Sequence, residues 1–411
     1  MKKKTLIACF LLALANHASP QSRGKPLSLD DLLATAREKS PAILAARFRV
    51  EALQADRTIA TTPPGPEIEV ARGTGRSLDG TASRAESGWS ISQSLEWPGR
   101  WRARIKAADS ALAAGRAANL ATQAEVLASV REQFFGILFA QQEADLIEEQ
   151  AGAASDLLSL TEKRVQVGEG RELDRIKASV ESLRMERLRE AAQSDLRVRK
   201  AVLDRFLLGA LGEGFQLDGR FALPSAVPPR EKVIEQLTAS SPLIGEAKAR
   251  TEAASWALKA EHQGRFPDLF ASYQRTDELD RRANSVTLGF RLPLWGFNSG
   301  PVRKASAGRE IAAQEESLVR GEIGAQGERA YNAYSLAFAQ AGRYEHDLLP
   351  AARKSLEIAT FSYEQGELSL LELLDARRTY LDAVEAYNDV LFQFEGARAE
   401  LERLIGGPIH E

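Results

Sequence analysis

The feature that most constrains this chain is an internal echo at an offset of about 198 residues. Arg164-Val165-Gln166-Val167-Gly168-Glu169, followed by Leu173 and Ala178, recurs as Ser362-Tyr363-Glu364-Gln365-Gly366-Glu367, followed by Leu371 and Ala376. Ser40-Pro41 pairs in the same way with Ser241-Pro242, and the stretch ending Leu95-Glu96-Trp97-Pro98-Gly99 with Leu292-Pro293-Leu294-Trp295-Gly296. A repeat on this scale is a duplicated structural half, so the 411 residues are read as one body made from two copies of a unit rather than as two or three unrelated domains.

Lys2-Lys3-Lys4, the apolar run Leu6 to Leu14 and the small residues around Ala18 and Ser19 have the three parts of a secretory signal peptide, residues 1–18. The run is about half the ~20 apolar residues that a spanning helix needs, which disfavours a permanent anchor. The only cysteine, Cys9, lies inside it, so the mature chain has no thiol chemistry. Lipidation at Cys9 would leave too short an apolar segment ahead of the cut. Cleavage removes three lysines and no acid, shifting the formal charge from −3 to about −6, which excludes an electrostatic footprint for nucleic acid.

Two repeats are expected, at 28–209 and 231–406, joined by a Gly/Pro-rich linker at 210–230. In the first, Leu29 to about Ala60 reads as one helix with an early proline, Pro41. Two strands follow near 67–72 and 87–97, then a proline-free helix from Arg100 to about Gln166, and after Gly168 and Gly170 a returning helix from Leu173. A helix of that span is roughly 100 Å long, too long for a compact domain to bury, so it must pack beside others of its kind. The second repeat gives a helix from Glu231 to His262, strands near 268–275 and 285–294, a long helix from Val302 to Glu364, a break at Gly366 and a return from Leu370 to Ile405. Within that return, Leu373, Tyr380, Tyr387, Phe394 and Leu401 alternate with Ala376, Ala383, Val390, Ala397 and Leu404 in a heptad seam of large against small residues.

Alternation in the strands puts Trp89, Ile91, Gln93, Leu95 and Trp97 on one face, and Val286, Leu288, Phe290 and Leu292 on another. Their length suits a tilted transmembrane β-strand, and Trp89, Trp97, Trp101, Trp295 and Phe297 suit an interfacial girdle in outer-membrane lipid. A soluble sheet with one buried face fits the same pattern. Four strands cannot close a barrel, so a membrane barrel demands an oligomer.

The order of signal peptide and two repeats, with Gly366-Glu367-Leu368-Ser369-Leu370-Leu371-Glu372-Leu373-Leu374-Asp375-Ala376 at a helical tip, resembles the TolC-type outer-membrane efflux channels. The stretches Ser92 to Arg100 and Leu292 to Gly300 are more similar to the CzcC-like heavy-metal branch. The resemblance implies a mainly α chain with a small β part. Three protomers would give a homotrimer with one twelve-stranded β-barrel, continued by a coiled-coil α-barrel tunnel across the periplasm of a Gram-negative bacterium. It implies a periplasmic adaptor and an inner-membrane RND-type pump as partners, and heavy-metal cations as the cargo. Multidrug efflux or type I secretion through the same channel, and a soluble periplasmic coiled-coil scaffold, are the alternatives.

No catalytic constellation is legible, so no enzymatic activity and no cofactor are expected. His17, His262, His346 and His410 are too few and too scattered for a dedicated metal site, and no phosphate-binding loop is present. By the resemblance, Glu372 and Asp375 match the acidic ring at the periplasmic entrance; one helical turn apart, they can point to one side. The repeat offset leads from them to Asp174 and Lys177, a candidate gate pairing. Arg164, Val165, Gly168, Gly366 and Leu371 are the implied adaptor-docking tips.

Overall fold

A computed structural model describes residues 26–212, 214–292 and 296–409. The signal segment, Trp295 and His410 therefore lie outside the described residues. The first half runs α1 (Leu29–Lys39), α2 (Pro41–Thr61), β1 (Glu67–Arg76), β2 (Ser83–Leu95), α3 (Pro98–Gln166) and α4 (Glu172–Phe206). The second runs α5 (Arg230–Ser240), α6 (Pro242–Gln263), β3 (Asp268–Asp277), β4 (Arg282–Arg291), α7 (Ser299–Arg343), α8 (Leu349–Glu364) and α9 (Leu370–Ile405). The two halves match element for element, except that α7 and α8 together stand where the first half has α3.

Where one helix was expected at the start of each half, there are two. Ser40 sits at φ −63°, ψ 122°, and Ser241 at φ −55°, ψ 120°, because the ring of the following proline disfavours helical geometry in the residue before it. Pro41 and Pro242 each open the second helix, where a missing N–H costs nothing. The long helices also differ. α3 runs unbroken for 69 residues, whereas α7 and α8 are joined through a π-turn, Tyr344–Leu348. Pro350 follows within two residues; it offers no N–H to the preceding turn, and the wider turn accommodates its ring.

Three apolar clusters hold the helices together. Leu32, Ile43, Val130, Phe134, Ile137 and Leu203 are buried in the first half, and Val233, Leu237, Tyr334, Phe394, Leu401 and Leu404 in the second. The third joins the two hairpins near their ends through Leu157, Ala178, Ala359, Tyr363, Leu370 and Leu373. In the expected heptad of α9, Leu373, Ala383, Val390, Phe394, Leu401 and Leu404 are buried, while Ala376, Tyr380, Tyr387 and Ala397 are half-buried.

The strands form one antiparallel sheet in the order β1-β2-β3-β4, so β1 and β4 are its open edges. They reach further towards the turns than expected: to Arg76 and Ser83, because Gly73 and Gly75 continue the ladder opposite Glu86 and Arg84, and to Asp277 and Arg282, which pair with each other. At the other end the strands stop short. β2 ends at Leu95 and β4 at Arg291, and Trp97 is the N-cap of α3 rather than a strand residue, since Pro98 starts the helix.

Candidate functional site

The register decides what each face of the sheet carries. Ile68 lies opposite Ile91, Ile91 opposite Tyr273 and Tyr273 opposite Val286; Leu95, Leu269 and Phe290 line up in the same way. This face is apolar and open, with Val70, Val286, Leu288 and Phe290 between 62% and 79% exposed. The opposite face aligns Ser90 with Gln274 and Ser285, and Ser92 with Ser272 and Thr287. Apolar residues outward and polar residues inward is the pattern of a transmembrane barrel wall; a soluble sheet would cover its apolar face. Among the described residues no helix is long and apolar enough to cross a membrane.

The expected girdle residues separate into two levels. Trp89 lies on the open face, 5.4 Å from the ring of Tyr273. Trp97 stacks on Phe266 at 5.0 Å where sheet meets helices, and its indole N–H donates to Gln263. Trp101 donates to the carbonyl of Ala60, tying α3 to the end of α2. Phe297 is exposed and adopts φ 42°, ψ 43°, in the left-handed region beside Asn298, whose amide donates to the Glu261 carbonyl.

At the far end of the hairpins, roughly 100 Å away by helix rise, the two tips repeat one hydrogen-bond scheme. Glu169 and Gly170 donate their N–H groups to the Arg164 carbonyl; Glu367 and Leu368 donate theirs to Ser362. Gly168 at φ +82° and Gly366 at φ +81° supply the left-handed residue that such a helix ending requires. Arg164 also crosses between tips. Its guanidinium lies 5.0 Å from the centre of the Tyr363 ring and donates to the carbonyls of Tyr363 and Glu364, so it caps the C-terminus of α8. Val167, Leu173 and Leu371 are exposed.

Glu372 and Asp375 sit in different surroundings. Glu372 turns back to accept from the backbone N–H and hydroxyl of Ser369, while its own N–H is capped by that hydroxyl. The Ser369 hydroxyl, then its backbone N–H, hold the carboxyl below the ordinary glutamate range. Asp375 instead lines a groove of about 360 Å³ between α3, α4 and α9, together with Glu143, Glu181, Asp382 and Glu385. Burial, and then the charge of Glu385, push the Glu143 carboxyl up. In the first tip Glu172 pairs with Arg175, and among the described residues no ion pair joins Asp174 or Lys177 to Glu372 or Asp375.

One charged residue of this region had no signal in the sequence. Arg377 is 7% exposed, and its Nε and Nη1 have no hydrogen-bond partner; burial lowers its pKa against the opposing pull of Glu181. Its identity was in plain view, but only its burial on α9 makes it unusual. Among the described residues no group of three or more His, Cys, Asp or Glu side chains is placed to hold a metal ion.

The outer membrane efflux protein family matches residues 32–207 and 233–407. The chain is 26% identical over 395 residues to the cobalt-zinc-cadmium resistance protein CzcC of Cupriavidus metallidurans, covering 94% of this chain and 92% of that protein. It is 24% identical over 421 residues to the pyoverdine export outer membrane protein OpmQ of Pseudomonas aeruginosa, covering 92% and 85%. Among solved structures it is similar to the Campylobacter jejuni CmeC outer membrane channel, with a TM-score of 0.78 and 17% identity over 92% of this chain and 85% of that one. It is also similar to CusC, with a TM-score of 0.77 and 18% identity over 96% of each. Two matched segments, the outward apolar sheet and the long paired hairpins agree: the chain belongs to the outer membrane efflux protein family, whose members are non-enzymatic ducts of the outer membrane.

Proposed function

We propose that three copies of the chain close one twelve-stranded barrel and one helical tunnel, forming the exit duct of a tripartite system with a periplasmic adaptor and an inner-membrane RND-type pump. The open edges of β1 and β4 beside an outward apolar face support this most directly, because unpaired backbone groups are not tolerated in lipid and a neighbouring copy supplies their partners. The cargo is heavy-metal cations, supported by the relative named for cobalt, zinc and cadmium resistance. They pass hydrated, selected by the pump.

In this reading Asp375, with Asp382 behind it on α9, forms the acidic ring of the entrance, and Glu372 serves as the N-terminal anchor of the helix. The tip residues Val165, Gly168, Gly366 and Leu371 meet the adaptor, with Arg164 holding the tips in register. Asp174 and Lys177 are open to partners on a neighbouring protomer. In planar bilayers, Asp375→Asn is expected to lower cation-over-anion selectivity several-fold; unchanged selectivity removes the ring.

The decisive experiment is growth of a deletion strain, with and without the gene, on divalent metals and on a matched panel of dyes and antibiotics. Selective loss of metal tolerance, restored by the gene but not by Gly366→Trp, is the expected result. The OpmQ match supports a second reading, export of pyoverdine; loss of pyoverdine export with normal metal tolerance would select it.

A further inference from the structure

The open face of the sheet is mainly apolar in its lower part and becomes cationic near the turns. Towards the helices it carries Ile68, Leu95, Leu269 and Phe290. Towards the turns the same face carries Arg72, Arg76, Arg275 and Arg282. Arg275 lies opposite Trp89, in the row of Val70 and Asn284; Arg72 and Arg282 lie one same-face step further, in the row of Ser87 and Asp277. That step is about 7 Å of strand.

One carboxylate answers these four cations on that face, and it is already taken. Asp277 accepts from Arg282 at 2.9 Å and pairs with Arg84, from the opposite face, at 3.2 Å. Arg72, Arg76 and Arg275 are exposed and make no ion pair among the described residues. In the turns, Glu278 is held by Arg281, and Asp79 by the hydroxyls of Ser77 and Thr81, which bring its carboxyl down to about 2. An unpaired arginine facing lipid is costly in mid-membrane and tolerable at the interface, where its head reaches water or an anion. Guanidinium forks match phosphate oxygens in two-point geometry.

We propose that Arg72, Arg76, Arg275 and Arg282 form a docking belt for the phosphate groups of the phosphorylated glycolipid in the outer leaflet, with Trp89 and Tyr273 marking the top of the acyl region. The proposal rests on the sheet lying in the outer membrane with its turns outward, the side away from the helices. It concerns which lipid surrounds the duct and not what passes through it.

The test uses the full-length protein purified in detergent, titrated with bis-phosphorylated lipid A and with the same lipid A after removal of its phosphates. Bound lipid is counted by native mass spectrometry. The unchanged protein is expected to prefer the phosphorylated form at least tenfold, and each Arg→Gln change to reduce that preference by roughly fivefold. The quadruple Arg→Gln variant is expected to bind both lipids alike, and the quadruple Arg→Lys variant to keep part of the preference. Equal binding of the two lipids by the unchanged protein overturns the belt without needing any variant to fold. So does retained preference in the quadruple Arg→Gln variant. A protein that conducts in bilayers but shows no preference leaves the duct standing and removes only this inference, whereas one recovered from cells without detergent removes the membrane reading itself.

Discussion

Glu395 on α9 is 3% exposed, and its Oε2 has no hydrogen-bond partner. Burial pushes its carboxyl up to about 7, in spite of the opposing charges of Arg398 and Arg131. Below the usual glutamate pKa, folded and unfolded chains both hold the proton and nothing is lost. As pH rises through 4.5 to about 7, the unfolded chain releases its proton first and the folded state loses stability, reaching a floor above 7. Glu395→Gln, which never ionises, should therefore match the wild type near pH 4 and exceed it by about 3 kcal/mol at pH 8, read from denaturant melts at the two pH values. Equal stabilities at pH 8 would show that the carboxyl is better solvated than its burial implies. Such a residue is invisible in the sequence, where Phe394-Glu395-Gly396 reads as an exposed position next to a core one.

At the level of elements, what could be read was whatever local chemistry dictates. Gly168 and Gly366 mark the reversals because the left-handed turn excludes most side chains, and Leu370 to Ile405 was bounded correctly by a capping Ser369 and a closing Gly406. Pro41 and Pro242 were visible, but a proline near a helix start reads equally as an early kink or as the first residue of a new helix; the extended geometry of the preceding serine decides it. The strands were read too short at the turns, since Gly73 and Gly75 look like turn residues until a partner strand pairs with them. Trp97 was read as strand because alternation carries one step past Leu95. The groove holding Asp375 escaped reading altogether, as it is made by three helices whose rotations are set by packing.

On the scale of the whole molecule, the sheet and the tips make opposite demands on a substitution. Leu288 faces outward at 79% exposure, while its neighbour Thr287 faces Ser272 on the polar side. Leu288→Arg should weaken the membrane-inserted assembly by about 2–4 kcal/mol, whereas Thr287→Arg should be tolerated; heat-resistant oligomer on a gel reports both. Equal tolerance of the two would mean that the open face does not meet lipid. The open edges β1 and β4 have a further consequence, which concerns when the chain is finished rather than how it is built. A lone copy has two rows of unanswered backbone groups and so has no comfortable place in a bilayer, while its helices are already satisfied internally. In the proposed three-copy barrel, residence in the membrane becomes a property of the closed ring alone: an incomplete set is excluded by the same hydrogen-bond accounting that makes the complete one permanent, and the bilayer itself acts as the inspector of assembly.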